Sequence, residues 1–145
     1  MSGLAVTMIQ AYVYRRRTTG VIEYLLLQRA AEEELYPRLW QMVTGRIENG
    51  ETASAAAIRE IREETGIEAA QVDVVPYVAS FYFEPDDSIH HVPVFAVEVP
   101  AGAGVRLSAE HSTSEWLEYD HAWQRLVFPG HREGLRVLRD YMLTA

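Results

Sequence analysis

Residues 45–67, GRIENGETASAAAIREIREETGI, decide the reading of this chain. They set Gly45, Glu51, Arg59, Glu60, Glu63, Glu64 and Gly66 at the spacing G-x5-E-x7-R-E-U-x-E-E-x-G-U, with Ile61 and Ile67 as the bulky aliphatic residues U. Residues 53–65 are rich in Ala, Glu and Arg, which favours helix. Thr52 can accept a bond from a free N–H of the first turn, and Gly66 stands where a left-handed cap is needed. On such a helix Glu60, Glu63 and Glu64 are related as i, i+3 and i+4 and share a face. Helical periodicity puts Ala53, Ala56 and Ala57 on the same side, small neighbours that leave room for ions and water, while Ile58 and Ile61 turn toward a core. Three carboxylates this close repel, so one must take up a proton or swing away unless a cation joins them. Mg2+ and Mn2+ prefer such oxygen ligands. Arg59 can fork onto a carboxylate, with Glu51 the candidate partner. Gly45, read as lying in the loop before the helix, lets the backbone approach a ligand or ion.

A Glu-rich helix is usually a solvated face. A chance occurrence of the whole spaced pattern in a chain this size is on the order of one in ten million, which argues against that reading. The pattern resembles the Nudix box, the signature of hydrolases that cut a diphosphate linked to another group, and no fixed position is missing. The resemblance implies an α/β/α sandwich, an α/β fold with a mixed sheet between helices, in one domain over residues 1–145. It implies that the Gly45 carbonyl joins a metal shell with Glu60 and Glu64 as main ligands and Glu63 as a further ligand or the base. Nudix enzymes usually add an acid from outside the box. Glu110, in the segment E-H-x4-W-L ending at Trp116-Leu117, resembles the metal-ligating Glu of bacterial dihydroneopterin triphosphate pyrophosphatases. Glu115 and Glu84 are weaker candidates for that role. The catalytic set is therefore Arg59, Glu63, Glu64 and Glu110.

The likeness to that subgroup extends to residues 25–29 (LLLQR), 39–45 (LWQMVTG) and 128–133 (FPGHRE). Arg29 can reach a substrate phosphate with its fork. Trp40 can stack on a base or pteridine ring, although a buried core Trp is the commoner outcome. Thr44 completes the substrate-binding set. The family often carries a substrate-touching Lys on its N-terminal strand, and this chain has no Lys.

Composition agrees with this reading. The 145 residues carry a formal net charge of −8, which argues against a nucleic-acid polymer as partner and permits a polyanion bridged through divalent cations. There is no cysteine, which excludes disulfides and thiolate metal sites and fits a reducing cytoplasm. No apolar run reaches membrane-spanning length, and the start MSGLAVTMIQ lacks the features of a secretory signal, so neither a membrane nor export is expected.

The remaining elements follow from local pattern. Residues 4–14 and 21–29 read as a hairpin around a polar turn at 15–20. A short strand at 40–44 ends at Gly45. Residues 72–84 and 89–99 form a second hairpin about Pro85-Asp86-Asp87-Ser88. Residues 114–117 read as a strand, 119–126 as a short helix, and 132–143 as an amphipathic helix presenting Leu135, Leu138 and Met142. His90 and His91 are not a metal pair, because strand neighbours point to opposite faces. His111 sits at the rim of the site. Tyr82 lies about where some dinucleoside polyphosphate hydrolases carry a Tyr.

The expected activity is Mg2+- or Mn2+-dependent hydrolysis of a nucleoside-triphosphate-like small molecule, dihydroneopterin triphosphate or a (d)NTP, to a monophosphate and pyrophosphate. Oxidised dNTPs, ADP-ribose and diadenosine polyphosphates remain open, since the box builds the diphosphate site and not the pocket for the other group. From other classes, a non-catalytic nucleotide-sensing Nudix domain and a ligand-free interaction protein also remain. The resemblance admits a homodimer, but no stretch of sequence specifies an interface.

Overall fold

A computed structural model describes residues 3–144. Along the chain run β1 (Gly3–Ala5), β2 (Met8–Arg16), β3 (Ile22–Arg29), β4 (Trp40–Gln41), β5 (Val43–Arg46), α1 (Ala53–Thr65) and β6 (Asp73–Phe83). Then come β7 (Ser88–Glu98), β8 (His111–Leu117), α2 (Tyr119–Arg125) and α3 (Pro129–Val137), the last continuing as π-helix over Leu138–Leu143.

The central strands are apolar on both faces. Ile9, Ala11 and Val13 of β2 and Leu25 and Leu27 of β3 enter one buried cluster, while Tyr12, Tyr14, Tyr24 and Leu26 enter another. Side chains alternate along a strand, so a sheet of this kind needs a cover on each side. Helix α1 supplies one through Ala56, Ala57 and Ile61. Helices α2 and α3 supply the other through Ala122, Leu135 and Val137, joined by Leu126 and Leu138. The result is the expected α/β/α sandwich. Its sheet is mixed: β2 runs parallel to β7 and antiparallel to β3 and β5, and β6 and β7 form the second hairpin.

One departure from the sequence reading positions the site. The β2–β3 hairpin pairs only near its turn, through Tyr14↔Tyr24, Arg15↔Glu23 and Arg16↔Ile22. Beyond that, β3 takes β4 as partner and β2 takes β5. The single strand expected at 40–44 is thus two short strands interrupted at Met42, serving different neighbours. Gly45 is not in a loop: it lies within β5, opposite Ile9. The strand expected at 4–14 likewise divides into β1 and β2, and β8 begins at His111 rather than 114. Arg15 and Arg16 belong to β2 rather than to a solvated turn, and Arg15 pairs with Glu23 at 2.8 Å.

Candidate active site

Helix α1 forms as its sequence dictates. The Thr52 hydroxyl accepts from the Ala55 amide, and Gly66 closes the helix at φ 74° with its amide on the Arg62 carbonyl. The helix buries Ala56, Ala57, Ile61, Glu64 and Thr65. Two of the three alanines, Ala56 and Ala57, therefore do not leave the room for ions that the periodicity suggested, and Ala53 is half-buried. Ala56 and Ala57 are fully buried against the sheet and set how closely α1 approaches it.

That close approach creates the site. A Cβ at Gly45 would lie 2.1 Å from Glu60 Cδ, so only glycine lets the Glu60 carboxyl lie across β5. Arg59 forks onto Glu51, with Nε at 2.8 Å and Nη2 at 3.0 Å from its two oxygens. The same guanidinium donates to Glu60 at 2.8 Å, to Glu63 at 3.1 Å and to the Arg46 carbonyl at 2.7 Å. Arg59 is held firmly as a cation by these carboxylates, Glu51 first. Glu51 in turn is held below the usual carboxylate range by Arg59 and then by the Glu48 amide. Arg59 thus locks the acidic face of α1 to β5, the partnership with Glu51 read from the sequence.

Glu64 stands apart from this clamp. It is 2% exposed, and neither of its oxygens has a hydrogen-bond partner of ordinary geometry. Burial pushes its pKa well above the usual carboxylate range, and the nearby Glu60 and then Glu110 push the same way. The Thr44 backbone, close enough to act on its ionisation, opposes them. Ligand atoms of Glu64, Glu110 and His111 all lie within 4.8 Å of one another. Glu110 is exposed in the turn before β8, as expected. Glu63 is half exposed and held by Arg59, on the outer side of the group. The rival acids fall elsewhere: Glu115 pairs with Arg125, and Glu84 starts the 3-10 turn between β6 and β7.

The residue that sequence reasoning misplaced is His111. It is not at the rim, since its side chain is fully buried beside Glu64. Burial, and secondarily Arg29, lowers its pKa to about 4, so the ring is neutral. The cause is a β-bulge. Thr113 pairs with Gln28 but His111 pairs with Arg29, so Ser112 is skipped. A one-residue slip exchanges the faces of a strand, and here it turns His111 toward α1.

Beside the acids lies a cavity of about 570 Å3. Arg29, Gln41, Thr44 and Arg46 line it where it nears the carboxylates, and Phe81 and Phe128 contribute aromatic wall. Of the residues expected to meet substrate, Arg29 and Thr44 line this cavity. Arg29 is steadied by bonds to the Leu35 carbonyl at 2.9 Å and to Glu33 at 3.3 Å. Trp40 is not among the lining residues. It pairs with Gln28, packs with the cluster under α2 and α3, and carries the Arg125 guanidinium 4.8 Å above its ring. His90 and His91 also stay apart: His90 bonds Asp86 at 2.8 Å, and His91 bonds Ser80 at 2.8 Å. Tyr82 lines the cavity and donates to Asp87.

The chain belongs to the NUDIX domain family, which matches residues 6–139. It is 40% identical over 115 residues to an octanoyltransferase of Myxococcus xanthus, a match covering 77% of this chain but only 31% of that protein. It is 36% identical over 105 residues to the CTP pyrophosphohydrolase of Escherichia coli, covering 72% of this chain and 73% of the relative. A dihydroneopterin triphosphate diphosphatase of E. coli is 36% identical over 85 residues, 57% of this chain and 52% of that protein. Among solved structures, a C. elegans Ap4A hydrolase superposes with a TM-score of 0.78 at 26% identity, over 95% of this chain and 98% of that one. Family and hydrolase relatives together support a pyrophosphohydrolase enzyme.

Nudix hydrolases generally use divalent metal ions, and the residues here fit one. A buried carboxylate with both oxygens unpartnered, two further carboxyls beside it and a glycine cradle make a hard, oxygen-rich donor set. Among the described residues, no helix is long and apolar enough to cross a membrane.

Proposed function

We propose that residues 1–145 act as one domain that hydrolyses the diphosphate linkage of a nucleoside-triphosphate-like small molecule, with Mg2+ or Mn2+ as cofactor. Glu60, Glu64 and Glu110 hold the ion or ions, with the Gly45 carbonyl and Glu63 as further ligands. A bound divalent cation supplies charge neutralisation at the phosphate oxygens and makes water easier to ionise. Glu63 or Glu64 accepts the proton of the attacking water. Arg59 holds the helix face in place, Arg29 and Thr44 meet the phosphates, and the aromatic wall of the cavity receives the ring. The observation that carries this reading is Glu64: a sealed, unpartnered carboxyl facing Glu60 and Glu110 has no stable ionised state until a cation arrives.

Dihydroneopterin triphosphate and (d)NTPs lead as substrates. The relatives named for CTP and for dihydroneopterin triphosphate support them, and so does a cavity large enough for one fused ring system. The acidic charge and absent cysteine fit a cytoplasmic enzyme of small anions rather than of nucleic acid. A homodimer is the assembly we expect. The test is phosphate and pyrophosphate release from CTP, dATP, dihydroneopterin triphosphate, ADP-ribose and Ap4A, in Mg2+, in Mn2+ and in EDTA, with products identified by 31P NMR. Metal-dependent formation of monophosphate and pyrophosphate from a triphosphate is expected. Absence of turnover on every compound would leave a nucleotide-binding module instead.

A further inference from the structure

We infer that His111 is a positioning residue for this reaction: Gln41 fixes the imidazole so that its Nδ1–H points at the Glu64 carboxylate and holds it turned toward the cation. This rests on Glu64 being a ligand, as proposed above.

The geometry is local and sealed. Gln41 is buried in β4, and its pairing with Leu27 places it on the α1 side of the sheet. The β8 bulge brings His111 to the same side. Gln41 Nε2 lies 2.9 Å from His111 Nε2. An amide nitrogen carries hydrogens and no available lone pair, so the ring nitrogen must accept. A ring that accepts at Nε2 carries its proton on Nδ1. That atom is closed off from solvent, has no other partner, and lies 3.8 Å from Glu64 Oε1. The gap is just beyond hydrogen-bond range. A small rotation of either side chain closes it, and an N–H donated to a carboxylate makes a charge-assisted bond. With Nδ1 protonated and Nε2 occupied, neither ring nitrogen is free to bind metal. The site thus stays one of oxygen ligands, and His111 acts through Glu64. Partners that orient a ligating side chain commonly govern metal affinity by about 10- to 100-fold.

Long-range 1H–15N NMR of the metal-free protein reads the tautomer directly. Protonation at Nδ1 is expected. Protonation at Nε2 would leave a lone pair facing Glu64, free to ligate the ion itself, and would overturn the inference. Variants supply the second readout. His111→Phe keeps the ring volume and removes the N–H, whereas His111→Asn keeps an N–H near the Nδ1 position. Titration calorimetry with Mn2+ should show about 10-fold weaker binding for the Phe variant, with recovery of most of the loss in the Asn variant. kcat should follow the same order with KM little changed. A Phe variant that binds Mn2+ like the native protein would overturn the inference, as would an Asn variant as weak as the Phe variant with both folded by circular dichroism. Should the Phe variant fail to fold, Gln41→Leu releases the ring and is read the same way: weaker Mn2+ binding supports the inference, native affinity refutes it. Failure of the native protein to bind Mn2+ would bring down the reading of the site itself. Native binding with an Nε2–H ring would bring down this inference alone.

Discussion

At the scale of single residues, the proposed chemistry turns on Glu64 and Gly45. Glu64 is almost fully buried and faces two other acids, an arrangement that folding alone would disfavour. Glu64→Gln preserves shape and removes the charge. It should reduce kcat on the order of 100-fold or more while leaving the circular dichroism unchanged, with Glu60→Gln behaving similarly. Rates close to native in either variant would refute their assignment as ligands. Metal-free stability gives an independent check. Unfolded Glu ionises near about 4.3, whereas folded Glu64 keeps its proton to much higher pH. Over that interval the folded state binds more protons, so this contribution is complete at low pH and is lost as pH rises. In EDTA, the melting temperature of the native protein should therefore fall relative to Glu64→Gln between pH 5 and 8, with Mn2+ restoring it. Parallel curves for the two proteins would contradict the burial argument. Gly45→Ala tests the cradle. Its new methyl overlaps the Glu60 carboxyl, which must move, so turnover should drop about 10-fold or more with little change in fold. A fully active Gly45→Ala enzyme would remove Glu60 from the site.

Helix α1 was legible at the scale of the element because its determinants are local. Residues 53–65, the Thr52 cap and the Gly66 cap all lie within one stretch, and the structure returns the same bounds. Each cap is testable. Thr52→Ala removes the bond to the Ala55 amide and should cost about 1 kcal/mol. Gly66→Ala forces a side chain into the left-handed region and should cost roughly 1–2 kcal/mol. Either loss should lower the melting temperature by a few degrees, and an unchanged midpoint in urea would show that the cap is idle. What the sequence hid is non-local. The break at Met42 exists because the arms of the first hairpin part and take separate partners, which no window of residues 40–46 can show. Trp40 could have stacked on a ring or entered the core, and pairing with Gln28 sends it to the core cluster under α2 and α3. His111 looked peripheral, and one skipped residue in β8 turned it inward. In each case strand register, rather than residue type, decided which face a side chain entered.

The whole molecule brings two kinds of surface together at one sheet. The acids gather on the α1 side, while the wall of β6 and β7 and the start of α3 line the cavity. The parting of β2 and β3 around β4 and β5 lets the two meet: Gly45 lies under Glu60, and its neighbour Thr44 lines the cavity. Stability of this arrangement depends on contacts that connect layers, and His131 makes one of them through its main chain. Its carbonyl accepts from the Tyr12 hydroxyl of β2, its ring meets Phe128 at 5.2 Å, and its Nδ1 is sealed from solvent without a partner. Burial lowers its pKa from 6.5 to about 4. For a base with a depressed folded pKa, the unfolded state takes up protons first as pH falls. The associated stability is complete above about pH 6.5 and drains away between 6.5 and 4. The shift corresponds to at most about 3 kcal/mol for His131, and His111, lowered to a similar value, adds to it. Urea denaturation at pH 7.5, 6, 5 and 4 should show the native protein losing stability across that window. His131→Leu, which retains the main-chain acceptor for Tyr12, should lose distinctly less over the same steps even if it starts lower. Equal losses in both proteins would mean that the imidazole finds water or a partner in solution.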